Sequence, residues 1–470
     1  MRRRSFLAGS TAAGLLTTAP ALHAVAAESS LRFDRKFAFG VSTAAFQIEG
    51  GLKADGRGPS IWDKIAASDA PGAPDPFIGH YYRWRDDVAL LKHLGIDAYR
   101  FSVAWPRVIP DGAGAVNPAG LDFYDRLVDA LLAAKITPYL CLYHWDLPVA
   151  LQQRGGWLDR GTVDAFVRYA GIVADRLGDR VKHWIPVNEA LSIAYGGYAI
   201  AFYPPWVSDF HAYLTAAHHL NLAQGAVMKA LAAPGRQFGT AMCLYPIRPV
   251  YDTKDDQDAA TLREATTTKL FLDPLLRGRY PAAVEDGMAS IVRDGDSAII
   301  RHDVDFLGVN YYGPEYCTAV SQAPLGVDKV TPQSLPVTQG GIVIDADGLY
   351  EVLRDLRDHY GNPPVYITEN GAAFPDVLTD DGKVDDHSRV DYLAEHFAAA
   401  HRAHAEGADL RGYFVWSAFD NYEWLVGFNN RYGLVYIDGQ DKTRVPKASF
   451  DWYRRLIASR RFTPPALVRR

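Results

Sequence analysis

The chain of 470 residues holds only three cysteines, Cys141, Cys243 and Cys317. An odd, widely spaced set is no disulfide framework. Cys141 and Cys243 lie in apolar runs, which suits buried structural thiols. An excess of positive charge is also lacking: 49 Lys and Arg stand against 55 Asp and Glu, a net of −6. No nucleic-acid partner is therefore expected. The apolar stretch near the N-terminus is too short for a membrane span, so no stable membrane anchor is expected. No Pro-, Gly- or Ser-rich segment is long enough to link two domains, and no low-complexity block or repeat stands out. What remains is ordinary globular composition, 48% hydrophobic and 22% charged. The length fits two or three domains, or one α/β barrel with insertions.

Aromatic residues make up 12% of the chain, with 10 Trp and 26 Tyr. Their flat faces suit sugar rings but also build ordinary cores. The N-terminus reads MRRRSFLAGSTAAGLLTTAPALHAVAAESS. Arg3 and Arg4 precede Ser5, Phe6 and Leu7; a weakly apolar stretch and AVAA follow. This pattern resembles a twin-arginine export signal cleaved near Ala26 or Ala27. It divides the chain into a removable segment, 1–27, and one domain, 28–470. The twin-arginine machinery would be a transient partner, and the destination the periplasm or the medium. A domain that folds before export, in a reducing cytoplasm, needs no disulfides.

Eight short apolar runs recur along the chain: 37–41, 98–103, 136–142, 181–188, 238–244, 305–310, 364–368 and 412–417. Amphipathic stretches lie between them. In 84–95, Val88, Leu91 and Leu94 share one face, and Gly95 ends the run. Stretches 121–135 and 163–178 show the same spacing. Alternating β and α elements imply a parallel sheet, and eight such pairs imply a closed (β/α)8 TIM barrel with extended βα loops. Barrels of this kind hold their reactive groups at the C-terminal strand ends. Arg100, the YHWD stretch, Asn188-Glu189, Asn310, Glu369-Asn370 and Trp416 fall at such positions.

Glu189 and Glu369 each sit beside an Asn, at the ends of the fourth and seventh runs. Either one alone suits a helix cap or an Arg partner as well as catalysis. Together they could face each other across the barrel mouth. Glycoside hydrolysis with retention needs two carboxylates ~5–5.5 Å apart, one attacking the anomeric carbon and one protonating the leaving oxygen. At that spacing and an effective dielectric of ~20, two negative charges repel by about 3 kcal/mol, roughly two pKa units. One carboxyl should keep its proton while the other is ionised.

The stretches FAFGVSTAAFQIEGG, GRGPSIWD, YRFSVAWPRV, LYHWDLPVAL, FLDPLLRGRYP, DFLGVNYYG, YITENG and NYEW…RYGLVYID occur in this order between about residues 33 and 455. The chain thereby resembles glycoside hydrolase family 1, the β-glucosidases and their relatives. The resemblance implies a retaining β-glycosidase acting on a small β-glycoside or oligosaccharide, with no metal or organic cofactor. By the same resemblance Glu369 is the nucleophile and Glu189 the acid/base. Arg100 and Tyr312 hold the nucleophile ionised. Gln47, His144, Asn188, Glu423 and Trp424 cradle the glycone, with Trp145, Asn310 and Tyr432 beside them and Trp416 as the platform under the ring. Taken singly, His144 and Trp416 read equally as a satisfied strand-end histidine and a core aromatic. The presence of Glu423, whose charge would repel a phosphate, and of Glu189, which thioglucosidase relatives lack, implies an O-linked, unphosphorylated substrate. Glucose, galactose and fucose glycones stay open. So do transglycosylation and, outside the enzymes, an impaired sugar-binding barrel.

Three departures from the family pattern stand out. Pro186 and Ala190 replace the Thr and Pro that flank the acid/base motif. Pro186 lacks an N–H, which predicts a lost ladder bond or a bulge that re-aims Glu189. The stretch YAIAFYPPW (198–206) replaces a Gly- and His-containing loop, and Ile342 stands where a Trp commonly lines the aglycone site. Tyr203 and Trp206 are candidates for a substitute wall, and an altered aglycone preference is expected.

Overall fold

The computed structural model describes residues 30–66, 76–320 and 327–464. The export-signal reading of residues 1–27 lies outside these. Eight parallel strands close into a barrel: β1 (Ala38–Ser42), β2 (Ala98–Ser102), β3 (Thr137–Tyr143), β4 (His183–Val187), β5 (Gln237–Cys243), β6 (Phe306–Asn310), β7 (Val365–Asn370) and β8 (Leu410–Trp416). Each overlaps one of the eight apolar runs.

A long helix follows each strand: α1 (His80–Leu94), α2 (Pro118–Ala133), α3 (Gly161–Leu177), α4 (Phe210–Leu231), α5 (Thr268–Arg277), α6 (Ala346–His359), α7 (His387–Ala405) and α8 (Ala448–Ser459). Their boundaries have local causes. Gly95 ends α1 in the left-handed region, at φ 84°. Pro118 opens α2, where a missing N–H costs nothing. The carboxylates of Asp209 and Asp345 accept the free N–H groups of Ala212 and Gly348 at the starts of α4 and α6. Along α3, Phe166, Tyr169, Ala170, Val173 and Leu177 form the buried face against the barrel.

The lumen is a packed core. Tyr139, Ile185, Phe306 and Phe414 fill it together with Ala98, Cys141 and Ala241. A Cβ on Gly40 would collide with the Phe414 ring, so β1 is thin where that ring enters. Cys141 is a buried thiol, as its apolar run implies. Cys243 is not: it is half-buried and faces the cavity at the C-terminal strand ends. Its apolar run is strand β5, and it stands at the open end, where burial stops.

The barrel is irregular at two places, and both precede a functional Glu. β4 stays in register with β3 from His183–Tyr139 to Val187–Tyr143. On its other side Trp184 pairs with Phe238 and Asn188 with Ala241. Four steps along β4 thus face three along β5, so β4 carries an extra residue in the stretch that contains Pro186. β7 likewise shifts register against β6 between Ile367 and Glu369. Among the described residues, no helix is long and apolar enough to cross a membrane.

Candidate active site

The strand ends and the loops beyond them enclose a cavity of about 820 Å3. Glu189, Glu369, Tyr312, Gln47, His144, Trp145, Asn188, Trp416, Glu423, Trp424 and Tyr432 all line it. Arg100 and Asn310 lie just beneath, fully buried. All thirteen residues singled out in the sequence are therefore brought together.

The two carboxyl groups have different surroundings. One Glu369 oxygen takes a short hydrogen bond from Arg100, and the other accepts from the Tyr312 hydroxyl at 2.7 Å. Glu189 has no cation of its own. Its oxygens accept from Asn310 Nδ2 at 2.8 Å and from the Ser192 hydroxyl at 2.8 Å. Burial, and then the Glu369 charge, push the Glu189 carboxyl up to about 7. Burial also pushes Glu369 upward, but Arg100 and the Tyr312 hydroxyl pull against it. Where both cannot ionise, the charge settles on Glu369 beside the guanidinium and the proton on Glu189.

Backbone geometry aims Glu189. It adopts φ 48°, ψ 61°, between strand β4 and a short helix, Ala190–Ala194. Its N–H donates to the Ala241 carbonyl at 2.8 Å, and the Asn188 N–H donates to the Tyr143 carbonyl at 2.9 Å. The bulge expected from Pro186 is present, yet these bonds on both flanks anchor the residues that follow it.

Asn188 is the hub of the polar floor. Its Oδ1 accepts from Arg100 Nη2 at 2.5 Å and Asn310 Nδ2 at 3.0 Å, and its Nδ2 donates to His144 Nε2 at 3.1 Å. One amide hydrogen remains for a ligand. Burial and the Arg100 charge drive the His144 imidazole well below its usual range, so it is neutral. Trp145 works from behind: its indole N–H donates to the Asn188 carbonyl at 3.1 Å, and its ring stacks on Trp424 at 4.4 Å. Gln47 Nε2 donates to Glu423 Oε2 at 3.0 Å, while the buried Gln47 Oε1 has no protein partner and is a free acceptor.

Burial, and secondarily the Glu369 charge, push the Glu423 carboxyl up to about 8. Its Oε2 accepts from Gln47 and faces the cavity beside Trp424. Trp206 is a correction: it is exposed and takes no part in the cavity, whereas Tyr203 lines it.

Some working residues escaped sequence reasoning. The Thr368 hydroxyl donates to Asn310 Oδ1 at 2.7 Å, which turns the Asn310 amide hydrogens toward Asn188 and Glu189. Asn421 Oδ1 accepts from Gln47 at 2.9 Å. Ser192, three residues after Glu189, had a readable signal in its one-turn spacing. Asn421 had none, because its partner is 374 residues away. Among the described residues, no cluster of three or more His, Cys, Asp or Glu is placed to hold a metal ion.

A (β/α)8 barrel with two unequal carboxyls at the ends of its fourth and seventh strands, beside an aromatic, hydrogen-bonding cradle, is the architecture of a glycoside hydrolase. The chain belongs to glycosyl hydrolase family 1, whose family model matches residues 29–462. It is 39% identical over 438 residues to beta-glucosidase A of Thermotoga maritima, covering 91% of this chain and 98% of that one. It is 43% identical to a bifunctional beta-D-glucosidase/beta-D-fucosidase of Bifidobacterium breve, covering 91% and 98%. A solved structure of the Thermotoga maritima beta-glucosidase in complex with deoxynojirimycin superposes with a TM-score of 0.86 at 38% identity, covering 91% and 99%. The reading as a binding barrel without catalysis is thereby set aside.

Proposed function

We propose that this hydrolase is a retaining β-glucosidase that releases the terminal, non-reducing, unphosphorylated β-glucosyl residue of O-glycosides. The carrying observation is the unequal support of the two buried carboxyls: Glu369 has a cation, and Glu189 has none. Glu369 attacks the anomeric carbon as the bond to the leaving oxygen breaks. Glu189 gives its proton to that oxygen, and a glycosyl ester forms on Glu369. The ester carries no charge, so the repulsion that held the Glu189 proton disappears. Glu189, now ionised, takes a proton from water as that oxygen attacks the anomeric carbon and frees Glu369. Asn188 and Gln47 have a donor and an acceptor to spare for the glycone hydroxyls.

An activated 2-deoxy-2-fluoro-β-glucoside tests this reading, because the fluorine slows both steps and the good leaving group rescues the first. Intact mass followed by peptide mapping should place one fluoroglucosyl group on Glu369. Labelling only by the galacto or fuco analogue would shift the glycone assignment. Failure of all three would overturn the mechanism. The relative from Bifidobacterium breve, a bifunctional beta-D-glucosidase/beta-D-fucosidase, favours including the fuco analogue.

We also propose that residues 1–27 direct twin-arginine export to the periplasm or medium, on the strength of Arg3-Arg4 and the AVAA stretch.

A further inference from the structure

Asn370 follows Glu369 and ends β7, yet it has no amide hydrogen to offer a substrate. Its side chain is fully buried. Nδ2 donates to the Tyr311 carbonyl at 2.7 Å and to the Tyr392 hydroxyl at 3.0 Å. Oδ1 takes a short hydrogen bond from the Tyr413 hydroxyl. A flipped amide would set its oxygen against the Tyr311 carbonyl oxygen, so the orientation is forced. Asn370 on β7 thus joins Tyr392 on α7, Tyr413 on β8 and the segment that follows β6.

That segment carries Tyr312, whose hydroxyl donates to Glu369 at 2.7 Å. The Tyr392 hydroxyl accepts from Asn370 and donates onward to the Tyr312 carbonyl at 3.2 Å. Asn370 and Tyr392 therefore hold the carbonyls on both sides of the Tyr312 α-carbon. The ring itself has less to fix it. It is half-buried and faces the cavity, and Tyr432 meets it edge-on with ring centroids 6.1 Å apart. With one side of the ring open, the backbone ties decide where the hydroxyl lies. A small rotation of that backbone would lengthen the bond to Glu369, and a hydrogen bond weakens steeply as its geometry degrades.

We propose, on the basis of the mechanism above, that Asn370 and Tyr392 are positioning residues that set the Tyr312 hydroxyl against the nucleophile. Neither touches the substrate. Tyr392→Phe is the decisive variant, because the phenyl ring keeps its stack on His396, at 3.9 Å. The substrate is the nitrophenyl β-glycoside of the sugar that labels Glu369. Its kcat/KM is followed from about pH 4 to 8 in the parent, Tyr392→Phe, Tyr312→Phe and the double variant.

In Tyr392→Phe the acid limb should move up, because a carboxylate with a weakened donor holds its proton to higher pH, and kcat should fall about three- to tenfold. The double variant should match Tyr312→Phe within about twofold, since a tie to a missing hydroxyl has nothing left to position. Asn370→Ala cuts both ties and should move the limb further in the same direction. An unmoved acid limb in Tyr392→Phe would overturn the proposal. So would losses that multiply in the double variant, the mark of a residue that only stabilises the fold. A fluoroglycosyl label on another residue of the parent would overturn the nucleophile assignment itself, and the proposal with it.

Discussion

At the residue scale the chemistry rests on how one proton is shared between two carboxyls. Glu189, pushed up to about 7, is the protonated form below that pH and the ionised form above it. Hydrolysis of substrates with poor leaving groups should therefore decline on the alkaline side of about pH 7. Glu189→Gln should remove that limb from the kcat/KM profile and cost roughly 10²–10⁴-fold on alkyl glucosides, with a smaller loss on nitrophenyl glycosides, whose leaving groups need no proton. Tyr312→Phe deletes a donor to Glu369. The nucleophile then ionises at higher pH, so the acid limb should move up and kcat fall by roughly 10–100-fold. The same side chains show how far sequence reached. Glu189 and Glu369 were legible because Asn-Glu and Glu-Asn pairs end apolar runs. The upward push on the Glu423 carboxyl was not, since enclosure is a property of the assembled cavity.

Asp146 gives a stability prediction at this scale. It is fully buried, neither carboxyl oxygen has a protein partner, and burial pushes its pKa up to about 8. Below the unfolded carboxyl pKa both states hold the proton. As pH rises toward 8 the unfolded chain ionises while the folded protein resists, so stability falls across that window. Asp146→Asn should therefore gain Tm relative to the parent as pH is raised from 4 to 8, with the gap levelling off above that. Calorimetry at several pH values reads this directly.

At the scale of elements, both Glu residues follow a break in strand register. The bulge in β4 was legible from Pro186, because a residue without an N–H cannot complete a ladder. The bonds that hold Glu189 in place after the bulge were not, because Ala241 lies on the next strand. Since those bonds and not residue 186 aim the carboxyl, Pro186→Thr should leave kcat/KM within about fivefold of the parent. Gly371, one residue past β7, has no such tolerance. A Cβ there would overlap the Trp416 carbonyl oxygen. Gly371→Ala should part β7 from β8 beside the nucleophile, cost about 3 kcal/mol or more, and show as a lower unfolding midpoint with a larger loss of kcat than of substrate binding.

At the scale of the whole molecule, the proposed export signal contributes no strand to the barrel, whose first strand starts at Ala38. Deleting residues 1–27 should leave an active enzyme in the cytoplasm of an expressing bacterium. Replacing Arg3 and Arg4 together by Lys should hold the full-length chain there. Activity measured in cytoplasmic, periplasmic and medium fractions distinguishes these outcomes.

The amino-acid order by itself determined the eight alternating strand and helix segments, since hydrophobic period and local caps act over a few residues. It also marked the strand ends as the place for polar chemistry. Only the tertiary structure decided which groups share a proton and which lie beyond the reach of substrate. Arg100 and Glu369 are 269 positions apart in the chain and joined in space. Trp206 and Tyr203 are neighbours in the chain, but only Tyr203 reaches the cavity. Charge and access depend on what closes around a side chain, and in a barrel that enclosure comes from strands and loops far apart in sequence.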